Sequence, residues 1–187
     1  MAVLVEALKA DYWKPIQSGD LDNSDTLKVK NLVSNHSTVF YKNSYEFSTP
    51  ASPHLSAKID NQYIDIQNII LPNVNKNFIV EGAGGIMVPL NEKYLILDLI
   101  KHLNLEVILV VKNYLGSINH SLLSIDVLKQ NGIKIKGVVF CGEENKSSED
   151  YILNYTNLKC LGYIPVIKLN KKEILKQAEK FKYLNND

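Results

Sequence analysis

The chain has 187 residues, enough for one domain with a buried core. Its hydrophobic share of 45% and charged share of 22% are those of an ordinary globular protein, and a net charge of +1 makes no electrostatic case for nucleic acid or an anionic membrane. No arginine occurs, so bidentate forks onto guanine or paired phosphates are excluded, and no stretch approaches the ~18 apolar residues of a membrane span.

In chain order, Ala2 to Ala10 reads as a helix with Val3, Leu4, Ala7 and Leu8 on one stripe. A short strand at Tyr12 and Trp13 ends in a loop from Lys14 to Gly19, and Ser24 caps a helix running through Leu27 towards Val33. The segment from Asn35 to Asn61 is expected to be irregular, with Pro50 and Pro53 as breakers, and Tyr63 to Leu71 to be helical. Phe78 to Val80 reads as a strand, Leu95 to Leu103 as a helix, and Val107 to Val111 as a strand buried on both faces. A helix from about His120 to Gln130, a strand at Ile135 to Phe140 and a helix around Glu149 to Tyr155 follow. A strand near Cys160 to Tyr163 precedes the last helix, whose expected buried stripe is Ile174, Leu175, Ala178 and Phe181. Apolar strands alternating with amphipathic helices imply an α/β fold, a parallel sheet with helices on both faces. One domain over 1–187 is expected, with ligands bound beyond the carboxyl ends of the strands.

That rule ranks the loops. Glu81-Gly82-Ala83-Gly84-Gly85 places a carboxylate at a strand end, followed by a backbone nearly free of side chains. Such a loop lets main-chain N–H groups approach a phosphate while the carboxylate holds Mg²⁺; a tight turn with a solvated Glu81 is the other reading. Lys14, then Pro15, then Ser18 and Gly19, offers a point charge and a hydroxyl in a constrained turn, although most lysines in turns are simply solvated. Asp25 lies in a first helical turn, where aspartate is common for capping and dipole reasons alone. Gly116, Ser117, Ile118 and Asn119 lead from a strand into a helix, and free N–H groups there suit a carboxylate or phosphate. Cys141 and Cys160 have neither metal-ligand spacing nor a disulfide framework and read as buried thiols; the four histidines share no spacing. Lys172, Lys176 and Lys180 read as a solvated helix face. The opening residues carry no basic leader, so a cytoplasmic protein is expected.

Taken in order, these segments resemble dethiobiotin synthetase. Tyr12 to Gly19 is similar to that family's lysine loop, Asn23-Ser24-Asp25 to its magnesium-binding aspartate segment, and Ser52-Pro53-His54-Leu55 to its Ser-Pro-His signature. Val80 to Gly85 through Pro89-Leu90 resembles its most characteristic run, and Leu115-Gly116 with Ile118-Asn119-His120 and Leu161 to Pro165 fall where later motifs are expected. The resemblance implies a P-loop NTPase-like cytoplasmic homodimer that uses ATP, CO₂ and Mg²⁺ as a cyclo-ligase of biotin synthesis. It carboxylates 7,8-diaminononanoate, phosphorylates the carbamate and closes the ring. By the same resemblance Lys14 is catalytic, Ser18 and Gly116 to Asn119 contact substrate, and Asp25 and Glu81 hold Mg²⁺. Asp25, Glu81, Gly82, Ala83, Gly84, Cys141, Gly142, Ile164, Pro165 and Val166 border the nucleotide.

Two departures stand out. The family begins with a strand and a P-loop, and no G-x-x-x-x-G-K-[ST] occurs in these 187 residues. The expectation is therefore a chain recorded without its first strand, inactive on its own. Cys141 stands where the family has an adenine-reading asparagine, and a thiol cannot supply an amide's paired donor and acceptor. The rival readings are a cobyrinate-type amidoligase domain and a non-catalytic dimeric binding or regulatory module.

Overall fold

Short apolar strands alternate with helices, and every strand ladder in the structure is parallel. The structure, a computed structural model, describes residues 1–186. Its contacts divide the chain into two compact units, one comprising Met1–Leu103 with the chain from Leu169 onward, the other Asn104–Lys168.

In the first unit, α1 (Ala2–Leu8) ends at Lys9, whose left-handed conformation (φ 47°) breaks the helical run. The expected stripe of α1 is an underestimate, since Ala2, Val5 and Glu6 are buried as well. The reason is that α1 is packed by α2 (Asp25–Leu32), by α7 (Lys171–Ala178) and by the 3-10 segment Glu179–Asn186 that continues α7. The buried Glu6 carboxylate is tolerated because the Ser34 and Asn35 backbone N–H groups donate to it. Ile174, Ala178 and Phe181 are buried as expected, but Leu175 is 44% exposed and Gln177 takes the inward position instead.

Strands β1 (Asp11–Trp13) and β4 (Phe78–Val80) pair with Tyr12 opposite Ile79, and the Glu81 N–H extends the ladder to the Trp13 carbonyl. The expected loop after Trp13 contains a further strand, β2 (Ile16–Ser18), paired with β3 (Tyr45–Phe47) inside the segment read as irregular. Pro53 does not break structure; it occupies the first turn of α3 (Pro53–Ile59), where the N–H it lacks would have no helical acceptor. Tyr63 to Leu71 is not an α-helix. Only Ile66–Asn68 forms a 3-10 turn, because the Asp65 side chain captures the Gln67 N–H that a helix would need. Helix α4 (Ile96–His102) closes this part of the chain, its start fixed by Asp98 accepting the Leu95 N–H.

In the second unit, β5 (Val107–Lys112), β6 (Ile135–Gly142) and β7 (Cys160–Pro165) form one sheet in that order. Helices α5 (Ser117–Gln130) and α6 (Lys146–Thr156) supply Ile125 and Ile152 to a core with Val111, Val138 and Phe140. Helix α5 begins three residues before its expected start at His120. Strand β5 is not buried on both faces: Val111 joins the core, whereas Val110 on the opposite face is 50% exposed. Neither cysteine is a buried thiol, since Cys141 is half-buried and Cys160 exposed. Among the described residues, no helix is long and apolar enough to cross a membrane.

Ile152 is fully buried in this core. Ile152→Ala is expected to cost about 2–5 kcal/mol, the range for truncating a buried isoleucine, read as a lowered denaturant midpoint at unchanged slope.

Candidate active site

Strands β1 and β2 flank Lys14 and Pro15 and turn them beyond the carboxyl end of β1. The turn is pinned on several sides. The Trp13 indole N–H donates to the Lys42 carbonyl, the Asn43 amide donates to the Lys14 carbonyl, and Ser44 and Tyr45 N–H groups donate to the Pro15 carbonyl. Gly19 closes it at φ +69°, with Pro50 so near that an added Cβ would lie 2.5 Å from the Pro50 Cβ.

Held this way, Lys14 is only 6% exposed, so the solvated-lysine reading fails. Its Nζ lies 2.5 Å from Asp25 Oδ2 and 4.0 Å from Glu81 Oε1. The two carboxylates come from different elements, Asp25 from the first turn of α2 and Glu81 from the residue after β4, and they meet at one ammonium. Ser24 sets the α2 start by accepting the Leu27 N–H, and Gln17 adds a second tie by accepting the Asp25 N–H while donating to the Gly19 carbonyl. Burial raises the Asp25 carboxyl, but the Lys14 ammonium, with Lys28 behind it, outweighs this and holds the carboxyl below its ordinary range. Burial and then the neighbouring Glu81 carboxylate push the Tyr12 phenol well above its ordinary value, so it stays protonated.

A cavity of about 240 Å³ opens beside this cluster, lined by Lys14, Ser18 and Asp25, by Ser52 and Pro53, and by Ala83 and Gly84. The Ser18 hydroxyl is buried without a hydrogen-bond partner in the protein. Lys14, Ser18, Asp25, Ala83 and Gly84 thus share one cavity, with Glu81 on Lys14 and Gly82 on the connecting backbone. Gln17, Tyr12 and Lys28 were missed by sequence reasoning. Gln17 lines the cavity, Tyr12 donates to Glu81, and Lys28 bridges Asp20 (2.7 Å) and Asp25 (3.7 Å). Tyr12 and Gln17 fall inside the lysine-loop resemblance, but nothing in that run marks their own side chains as site residues, and Lys28 lies outside every motif.

In the second unit the remaining residues form two groups. Lys112, Cys141 and Ile164 stand side by side at the ends of β5, β6 and β7, with Gly142 opposite Pro165 and Val166 following. The Tyr163 hydroxyl donates to the Gly142 carbonyl and fixes that end, while burial raises the Cys141 thiol and keeps it neutral. Gly116 precedes α5, and Ser117, Ile118 and Asn119 form its first turn. The Ser117 N–H is already used by the Tyr114 carbonyl.

A family model described as an AAA domain matches residues 1–173. The chain is 50% identical over 182 residues to the ATP-dependent dethiobiotin synthetase BioD of Christiangramia forsetii, covering 97% of this chain and 87% of that protein. It is 41% identical over 181 residues to the enzyme of the same name from Cytophaga hutchinsonii, covering 96% and 87%. With the one from Lawsonia intracellularis it shares 42% over 166 residues, or 89% and 80%.

The depressed Asp25 carboxyl links stability to pH. Its contribution is present above the ordinary carboxyl pKa of about 3.9 and is lost as pH falls through the lower value it has in the folded chain. Asp25→Asn is therefore expected to lower the melting temperature at pH 7, and the two melting curves should converge towards pH 2. The loss at pH 7 should be smaller than the ~3–5 kcal/mol of a fully buried pair, because the Asp25 side chain is 37% exposed and solvent screens it. A difference that persists undiminished at pH 2 would point to packing.

Proposed function

This chain belongs to the dethiobiotin synthetase family, with a P-loop NTPase-like α/β fold, and we propose that its reaction is the ATP-dependent closure of the dethiobiotin ureido ring. The observation that carries this reading is the meeting of Asp25 and Glu81 at the buried Lys14 ammonium, beside a cavity bordered by the Ala83-Gly84 backbone. One amine of 7,8-diaminononanoate adds to CO₂ and loses a proton, giving a carbamate. The carbamate oxygen takes the γ-phosphoryl group of ATP and ADP leaves. The second amine then attacks the activated carbonyl, expelling phosphate and closing the ring.

Phosphoryl transfer of this kind asks for alignment and charge neutralisation more than covalent help. Lys14 meets that need: a fixed ammonium, little hydrated, stabilises negative charge on the carbamate and on the transferring group more strongly than a solvated one. Its two carboxylate partners hold it in place. The unpartnered Ser18 hydroxyl supports a substrate contact in the same cavity. Mg²⁺ takes one or two carboxylates and fills its sphere with phosphate oxygens and water, so Asp25 and Glu81 fit it as ligands. When bound, it would neutralise phosphate charge. On this reading Cys141, Gly142 and Ile164 to Val166 border the base, with a neutral thiol in place of an amide. The α5 start at Gly116 to Asn119 takes the substrate carboxylate in a homodimer, a reading supported by the fully exposed Leu115 and half-exposed Leu123 on the same stretch.

The direct test is dethiobiotin and phosphate formation from 7,8-diaminononanoate, bicarbonate and Mg-ATP. It is run on the 187-residue chain and on a fusion carrying a strand and P-loop ahead of Met1. Turnover is expected in the fusion. Lys14→Met in that fusion should lower it by about 10²–10³-fold, the scale for removing one preorganised charge-stabilising group, with the melt little changed. Undiminished dethiobiotin formation by Lys14→Met sinks the assignment of Lys14. Phosphate release without ring closure sinks the substrate.

A further inference from the structure

Glu81 is held from behind as well as from the cavity. Tyr12 is fully buried in β1, its ring 5.8 Å from that of Phe40, and its hydroxyl donates to Glu81 Oε2 at 2.6 Å. The ladder explains the reach. Tyr12 is paired with Ile79, and side chains two residues apart on a strand share a face, so Tyr12 and Glu81 stand on one side of β1 and β4 as diagonal neighbours. The other carboxylate oxygen, Oε1, is the one that faces Lys14.

A phenylalanine would fill the same apolar space. A buried hydroxyl is costly unless paired, so its presence in β1 matters only through its partner. The partner is one of the two carboxylates at the Lys14 cluster. A carboxylate on a freely rotating glutamate side chain presents either oxygen, or neither, to the cavity. One pinned through Oε2 presents Oε1 in a single orientation, and less entropy is lost when a ligand binds it.

We propose that Tyr12 is a positioning residue: its O–H fixes Glu81 through Oε2, so that Oε1 is presented to the divalent cation that accompanies the polyphosphate. This rests on the reading of Asp25 and Glu81 as cation ligands given above, and two measurements separate the two ideas. The first needs no metal. The Glu81 side-chain carboxyl ¹³C resonance, assigned by its loss in Glu81→Gln, should shift in Tyr12→Phe; an unmoved resonance overturns the positioning role.

The second uses Mn²⁺ alone as the probe, followed by water-proton relaxation on the 187-residue chain. Saturable binding is expected in the wild type, and Tyr12→Phe should weaken it about tenfold, the scale for losing a hydrogen-bond partner behind a metal ligand. In a Glu81→Gln background the same substitution should change Mn²⁺ affinity by no more than about twofold, because the two groups act as one. Equal losses in both backgrounds would mean that Tyr12 acts through general packing, and overturn the proposal. A shifted ¹³C resonance without saturable Mn²⁺ binding in the wild type would overturn the cation reading and keep only the hydrogen bond.

Discussion

A lysine ammonium with almost no access to water is the constraint around which the first unit is organised. Removing such a group from water costs several kcal/mol unless opposite charge meets it, and Lys14 is met by Asp25 at contact and Glu81 slightly further off. Those carboxylates are supplied by segments distant in sequence, the start of α2 and the end of β4. Whatever keeps Lys14 inside therefore also fixes where a helix begins and where a strand stops. Ser24, Gln17 and Tyr12 carry out that fixing through hydrogen bonds that any apolar replacement would lose.

The turn bearing Lys14 is built to resist relaxation. Trp13 packs against Phe78 across the β1–β4 ladder, Gly19 accepts the close approach of Pro50, and β2 is paired with β3 rather than left as open loop. Rigidity of this sort has a chemical consequence. A charge that is already placed and already desolvated needs no reorganisation when negative charge develops nearby. A chain without arginine has only lysines to offer as fixed cations, and a lysine is a point charge on a flexible stem. Burial of the stem supplies the orientation that a guanidinium would have had by its own geometry.

The second unit solves a simpler problem. Its core of Val111, Ile125, Val138, Phe140 and Ile152 lets three parallel strands end in register, so that Lys112, Cys141 and Ile164 form a row. Gly137 is needed inside β6 because a side chain there would meet the Lys159 carbonyl at 2.5 Å, and the pairing with β7 shifts at the next residue. The row is polar only at its Lys112 edge. Cys141 contributes a neutral, weakly hydrogen-bonding thiol in the middle of it.

Element type was legible wherever a local signal settled it. Phe78 to Val80, the Ser24 cap, α4 and the strand–helix alternation of the second unit follow from periodicity and capping chemistry, which act within a few residues. The motifs at Lys14, Asp25 and Glu81 could be picked out in the sequence as candidates, but each kept a solvated or capping alternative there. Tertiary structure alone decided the rest. Pro53 could open a helix or break one, and Tyr63 to Leu71 had a helical composition that Asp65 overrides by capturing a backbone N–H. Strands β2 and β3 exist because each finds the other across the 26 residues from 19 to 44, a pairing with no local signature. Burial of Lys14 and the Tyr12 hydrogen bond to Glu81 likewise depend on which segments meet. Charge pairing and desolvation are properties of distance in space, and sequence spacing does not encode them.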